Sequence, residues 1–252
     1  MTDRVDEGSS SPWRVLKVEP ENQSINSLYL ERSSERFANR RAGQYASLRI
    51  PRGSEWSEPH PFTISCAPED DGLRFTIKKQ GEFTSSIPDL SPGTEVKVAG
   101  PFGTFCNDVD EKDSILLIAG GVGITPFLSV LRHSRNKEAT NRVTLFWVNR
   151  TMEDTFAGDE LKEMTGTLDF TLVYVLSRET DARSYFNPDI PEVLYETGHL
   201  ERDLLSKYAV SRDASAYVCG PLKMQEAVIG ELEALGIDRN SVETESFTYE
   251  PR

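Results

Sequence analysis

The sequence predicts two domains of different class: a six-stranded antiparallel β-barrel over residues 13–107, then a doubly wound, five-stranded parallel sheet over 108–252. Three observations carry this. From Trp13 to Gly100 short β-rich runs alternate with turn residues, and helical periodicity is nearly absent. After Asp113 apolar β runs alternate with helical segments, the pattern of a parallel sheet covered on both faces. With 252 residues and 37% hydrophobic content, the chain has enough apolar side chain for two cores.

Taken in order, residues 1–12, "MTDRVDEGSSSP", are polar and acidic and read as a frayed, disordered tail; a secretory leader needs a basic start and an apolar run. The barrel strands are expected at "WRVLKVE", "INSLYLE", "QYASLRI", "PFTISC", "LRFTIKK" and "TEVKVA", with one short helical turn after Gly81. The boundary falls between Asn107 and Asp113. The parallel strands are expected at "SILLIA", "RVTLFWV", "DFTLVYVL", "SAYVC" and "SVETESF", with helices from about Thr125, Gly158, Glu201 and Pro221. The run from Ile115 to Leu131 carries no charge and reaches the lower limit for a membrane span. Gly120, Gly121, Gly123 and Pro126 in its middle favour a buried strand, a glycine turn and a new helix instead.

Acidic residues number 41 against 28 basic ones, a formal charge of -13, which disfavours nucleic acid and anionic membrane surfaces as partners. Cys66, Cys106 and Cys219 are widely separated, with no CxxC spacing for a zinc site or an iron–sulfur cluster and no even-numbered set for a disulfide framework. A reducing, cytoplasmic setting is expected, with no metal site. Oligomeric state leaves no mark in the sequence.

Two glycine-rich elements carry chemistry. In "LLIAGGVGITPFLSVL" a strand feeds glycines and then a helix from Thr125, so unpaired N–H groups and a partial positive charge meet a backbone that a phosphate can approach. The spacing lacks the usual GxGxxG, and the same glycines would serve a tight packing turn. In "AYVCGPLKMQEAVIGEL" a strand ends at Cys219 before a Gly-Pro turn and an amphipathic helix, the end of a parallel sheet at which ligands sit. Cys219 either faces a ligand there or is a buried small residue.

The order "HPFTIS", "GEFTSS", "GPFG", "AGGVGITP", "VLSRE", "YVCGP" and "ETESF" resembles the ferredoxin–NADP reductase superfamily from about Trp13 to Phe247. The first motif is most similar to the ferric reductase and NADPH oxidase branch. The resemblance implies a flavin in the barrel, FAD rather than FMN, and a nicotinamide nucleotide in the second domain. It places Phe62 against the isoalloxazine ring and the Thr63 hydroxyl on flavin N5, with Pro61, Ile64 and Ser65 in the same motif. His60 stands where plant-type enzymes have arginine, so it supports the phosphates or the ribityl chain with a charge present only part of the time. Gly81, Thr84 and Ser85 complete the phosphate site, unless they only cap a helix.

For the nucleotide, the resemblance implies Gly121, Gly123, Ile124 and Thr125 at the pyrophosphate, and Ser177, Arg178 and Arg150 at a 2′-phosphate, favouring NADPH with NADH as the alternative. Surface residues at strand ends are the competing reading of those three. Cys219, Gly220, Pro221 and Glu245 fall beside the nicotinamide, and Phe247, with Tyr249 as its rival, covers the other flavin face. The implied reaction is hydride transfer from nicotinamide C4 to flavin N5, then release of electrons to a separate acceptor: a ferredoxin, a 2Fe–2S oxygenase component, a cytochrome, free flavin or a ferric chelate. "ERFANRR", Glu35 to Arg41, is a candidate basic patch for such a partner, or a solvated loop. Two other readings are a subunit active only in a larger complex and a nucleotide-binding module that has lost its flavin.

Overall fold

The computed structural model describes residues 13–31, 35–208 and 213–247; the expected tail and Tyr249 lie outside them. The first half forms β1 (Trp13–Pro20), β2 (Ile25–Leu30), β3 (Tyr45–Arg49), a two-residue ladder of β4 (Pro51–Arg52) and β5 (Glu55–Trp56), β6 (His60–Thr63), β7 (Leu73–Lys78), the single turn α1 (Glu82–Ser85) and β8 (Glu95–Phe102). Six strands pair antiparallel in the order β6-β3-β8-β1-β2-β7. The two edges are drawn together where the Ser65 N–H donates to the Arg74 carbonyl at 2.8 Å and the Ser65 and Thr76 hydroxyls meet at 3.0 Å. Along β8 Val96 and Val98 are buried while Glu95 and Lys97 are exposed, the period-two alternation of a half-buried strand. Trp13, Leu28, Leu48, Phe75 and Ile87 fill the interior.

The second half forms β9 (Ser114–Gly120), α2 (Thr125–Asn136), β10 (Arg142–Asn149), α3 (Gly158–Thr165), β11 (Phe170–Leu176), β12 (Val193–Thr197), α4 (Arg202–Lys207), β13 (Ser215–Cys219), α5 (Leu222–Ala234) and β14 (Val242–Glu245). The strands pair parallel in the order β12-β11-β10-β9-β13-β14. That is one strand more than the sequence predicts. β12 is short, lies between Pro191 and Gly198, and pairs only with β11, so it lacks the long apolar run of its neighbours. Phe127, Leu131, Leu161 and Met164 from α2 and α3 pack on Leu117, Leu145 and Trp147 on one face. Leu205, Val228 and Leu232 from α4 and α5 pack on Leu116, Ile118 and Phe146 on the other. The uncharged run resolves into β9, a glycine turn over Gly121–Ile124, and α2. Among the described residues no helix is long and apolar enough to cross a membrane.

The two halves touch along α2. The Ser129 hydroxyl donates to the Cys66 carbonyl at 2.7 Å, and the His133 ring lies between Glu69 (2.5 Å) and Asp110 (3.1 Å). On another side Asn22 donates its side-chain N–H groups to the Asp154 and Thr155 carbonyls, each at 3.2 Å. The expected basic patch is smaller than its sequence suggests. Arg40 is buried and donates to the carbonyls of Phe37, Ala67, Asp70 and Gly72, so this cation clamps a loop.

Candidate functional site

β6 carries the "HPFT" motif at the edge of the barrel sheet, paired with β3. Alternation puts His60 and Phe62 on one side of the strand and Thr63 on the other. Phe83 of α1 stacks on both rings, at 3.9 Å and 29° from His60 and 5.7 Å and 18° from Phe62. Burial pushes the His60 ring below its usual range, and Arg52 adds to this against Glu58, so the ring is neutral at pH 7. Such a ring can offer a hydrogen bond but not the standing charge of an arginine.

Thr63 is buried, and its hydroxyl oxygen has no hydrogen-bond partner among the described residues. An unpaired buried hydroxyl is costly unless something external satisfies it. Tyr45 sits opposite Thr63 on β3, its ring 5.6 Å from that of Phe102. Ile64 and Ser65, expected with the motif, commit their side chains to the barrel: Ile64 joins the core, and the Ser65 hydroxyl donates to the Arg74 carbonyl at 3.1 Å.

At the end of the neighbouring loop a Cβ built on Gly81 would meet nothing within 4 Å, so the space beside it is open, while its N–H and carbonyl bond within the loop to Thr84 and Ser85. The Thr84 hydroxyl is engaged locally, accepting from the N–H groups of Gln80 (2.8 Å) and Gly81 (3.1 Å). Ser85 is exposed. Thr84 thus shapes the loop, while Gly81 and Ser85 face outward.

In the second domain the glycines divide by role. A Cβ on Gly123 would lie 2.4 Å from the Cys219 carbonyl oxygen, and one on Gly120 would lie 2.6 Å from the Met224 sulfur, so both permit close packing of the two glycine turns. Gly121 differs: its φ is +54° and nothing lies within 4 Å of its Cβ position. The Trp147 indole N–H donates to the Gly121 carbonyl at 2.9 Å and fixes this turn. Ile124 and Thr125 are buried beneath it. Neither Trp147 nor Phe83 was singled out in the sequence; each is an aromatic that props up a motif from outside it.

Arg150 and Arg178 follow β10 and β11. The Arg178 N–H donates to the Arg150 carbonyl at 2.8 Å, and the Ser177 N–H to that of Asn149 at 3.0 Å, so the three expected residues are brought together. Both arginines are exposed, and neither guanidinium pairs with a carboxylate among the described residues.

At the ends of β13 and β14 Cys219 pairs in register with Glu245. Gln225 of α5 ties the two ends together, donating to the carbonyls of Gly220 (2.7 Å) and Glu245 (2.8 Å). Burial, then the Glu245 charge, pushes the Cys219 thiol well above its usual range. Burial, then the Glu243 charge, pushes Glu245 up to about 7, and one of its carboxyl oxygens is buried without a partner among the described residues. Pro221 is exposed, and so is Phe247, which covers no ring among the described residues.

The buried hydroxyl of Thr63, the open space beside Gly81 and Gly121 and the Glu245 oxygen left unpaired among the described residues fit a flat, phosphate-bearing cofactor on the barrel and a dinucleotide on the parallel sheet. Residues 11–121 match the FAD-binding domain family and residues 117–229 the oxidoreductase NAD-binding domain family. The chain is 32% identical over 240 residues to the reductase component of propane 2-monooxygenase from Rhodococcus jostii, covering 93% of this chain and 63% of that protein. It is 30% identical over 242 residues to the same component from Mycolicibacterium smegmatis, covering 93% and 67%. It thus spans about two thirds of the length of these relatives. The flavohaem-like FAD/NAD binding domain of nitric oxide dioxygenase from Vibrio cholerae shares the fold, with a TM-score of 0.79, 21% identity and coverage of 95% and 99%. An FAD-binding barrel followed by an NAD-binding sheet, in this order and with these motifs, makes the chain a member of the ferredoxin–NADP reductase-like superfamily.

Proposed function

We propose that the protein is a flavin-dependent reductase that takes a hydride from NADPH and passes electrons onward to a separate redox protein. The buried, unpartnered Thr63 hydroxyl carries this reading, because it lies at the end of the "HPFT" strand with a hydrogen-bonding capacity that the described chain leaves unused. FAD, when bound, supplies the ring that accepts the hydride and divides the pair into single electrons. Thr63 holds the acceptor atom by a hydrogen bond, while Phe62, steadied by Phe83, offers an apolar face that excludes water. Gly81 and the neutral His60 take the phosphate end.

Gly121 and the first turn of α2 receive the nucleotide pyrophosphate, and Arg150 and Arg178 its 2′-phosphate. Cys219 and Glu245 close the site where the nicotinamide lies. Below pH 7 their neutral forms keep negative charge away from the hydride path. The reductase components among the relatives support a protein acceptor over a free chelate.

An anaerobic titration of the flavin-loaded protein with NADPH and, separately, NADH tests this. Bleaching of the visible flavin absorption at lower NADPH than NADH is expected. A protein that takes up no flavin, or whose flavin neither nucleotide bleaches, overturns the proposal.

A further inference from the structure

A single helix connects the two glycine- and hydroxyl-bearing motifs. α2 begins at Thr125, directly after the Gly121–Ile124 turn, and over its first two turns reaches the residues that follow "HPFT". There the Ser129 hydroxyl meets the Cys66 carbonyl at 2.7 Å, and an Arg132 guanidinium N–H donates to the Ser65 carbonyl. Ser65 is two residues beyond Thr63. Arg132 is 4% exposed, which leaves its charge to be balanced locally. Glu160 of α3 does so through two bonds, 2.8 Å to Nε and 2.6 Å to Nη2. This is the fork-to-carboxylate geometry that fixes direction as well as distance. Burial alone would raise the Glu160 carboxyl, but the Arg132 hydrogen bonds and charge bring it below its usual range, so the pair stays ionised.

The Ser65 carbonyl is thus held from the second domain, while its N–H and hydroxyl are held by the barrel through Arg74. A lysine has neither the fork for Glu160 nor the reach in a fixed plane. We propose that Arg132, locked by Glu160, is a positioning residue for hydride transfer. Its grip on the Ser65 carbonyl sets the distance between the Thr63 end of β6 and the dinucleotide turn at the head of α2. This rests on the reductase reading above. Arg132 itself touches neither cofactor site; it acts through the backbone. Transfer between rings held by different domains is sensitive to such a displacement, since a misplacement of about 1 Å costs up to about 100-fold in rate.

The test uses wild type, Arg132→Lys and the milder Glu160→Gln. Ser65–Cys66 is the sole Ser-Cys pair in the sequence. Labelling serine with 13C at the carbonyl and cysteine with 15N therefore yields one carbonyl–amide NMR correlation, which reports the gripped carbonyl in protein without flavin. The correlation is expected to move in both variants. In the flavin-loaded proteins, rapid mixing with NADPH is expected to show flavin reduction slowed about tenfold or more. The isotope effect with 4-deuterated NADPH should be larger, the nucleotide Kd should stay within about twofold, and reoxidation by ferricyanide should be unchanged.

A correlation that moves while reduction keeps its wild-type rate and isotope effect makes Arg132 a structural clamp and overturns the proposal. A correlation that stays in place in both variants overturns the grip itself. Wild type that no nucleotide reduces removes the reductase reading, and the proposal with it, whatever the NMR shows.

Discussion

Cys219 and Glu245 stand side by side at the ends of β13 and β14, and the carboxyl is held at about 7 by burial and by Glu243. The unfolded chain loses that proton near 4.5, so between 4.5 and about 7 the native state binds a proton that the unfolded state has released. Stability contributed by this group is therefore full below pH 4.5 and falls as pH rises through 7. Glu245→Gln removes the effect. Its urea stability is expected to match wild type near pH 4 and to exceed it by roughly 2–3 kcal/mol at pH 8. An equal difference at both pH values would contradict the assignment.

Thr63 makes the cost of function visible in the flavin-free protein. Thr63→Val keeps the shape and removes a buried hydroxyl that has no partner among the described residues. In the apo-protein the variant is expected to be as stable as wild type or more stable by about 1–2 kcal/mol, read from urea midpoints. Loaded with FAD, the same variant should be reduced at least about tenfold more slowly, because one hydrogen bond to a reacting ring is lost. A destabilised apo-protein would mean that the hydroxyl has a partner within the chain.

Periodicity made the scaffold legible: all six barrel strands and the four longer helices lie where alternation and the 3.6-residue repeat place them. β12 escaped because an edge strand of five residues between Pro191 and Gly198 is buried on one flank only and keeps little apolar signature. The site was legible only as motifs in order. Their supports were not, since Phe83, Trp147, Gln225 and Arg132 reach their partners through tertiary contacts that no local pattern encodes. Sequence also could not separate glycines with open space beside them from glycines packed against a neighbour. Gly123 and Gly121 are two residues apart and do different things.

That difference is measurable. Gly123→Ala forces a Cβ to 2.4 Å from the Cys219 carbonyl carbon's oxygen, a backbone atom that cannot swing away, so a loss of more than about 2 kcal/mol in stability is expected. Gly121→Ala meets no atom and costs only the left-handed φ, about 1 kcal/mol. Its new methyl instead occupies the space open above the turn, so nucleotide affinity should fall about tenfold or more while FAD binding is unchanged. Equal stability losses, or nucleotide binding untouched in Gly121→Ala, would remove the turn from the binding site.

Arg150 and Arg178 are the residues proposed to distinguish the two coenzymes. Their backbones are joined by a 2.8 Å hydrogen bond, and both guanidinium groups are exposed without a carboxylate partner among the described residues, in a chain of net charge -13. Cations left unpaired in so acidic a protein are suited to an anionic ligand, and a charge-assisted hydrogen bond to a phosphate is worth about 1.5–3 kcal/mol. Each of Arg150→Gln and Arg178→Gln is therefore expected to weaken NADPH binding about 10- to 100-fold, and NADH binding less than about twofold. The salt dependence of NADPH affinity should become shallower in both variants. Protein stability should not move, since neither side chain is buried. If both nucleotides weaken alike, the arginines serve the shared pyrophosphate. If neither weakens, the 2′-phosphate has no site here and NADH is the donor, with the proposed roles of Thr63, Cys219 and Glu245 unaltered.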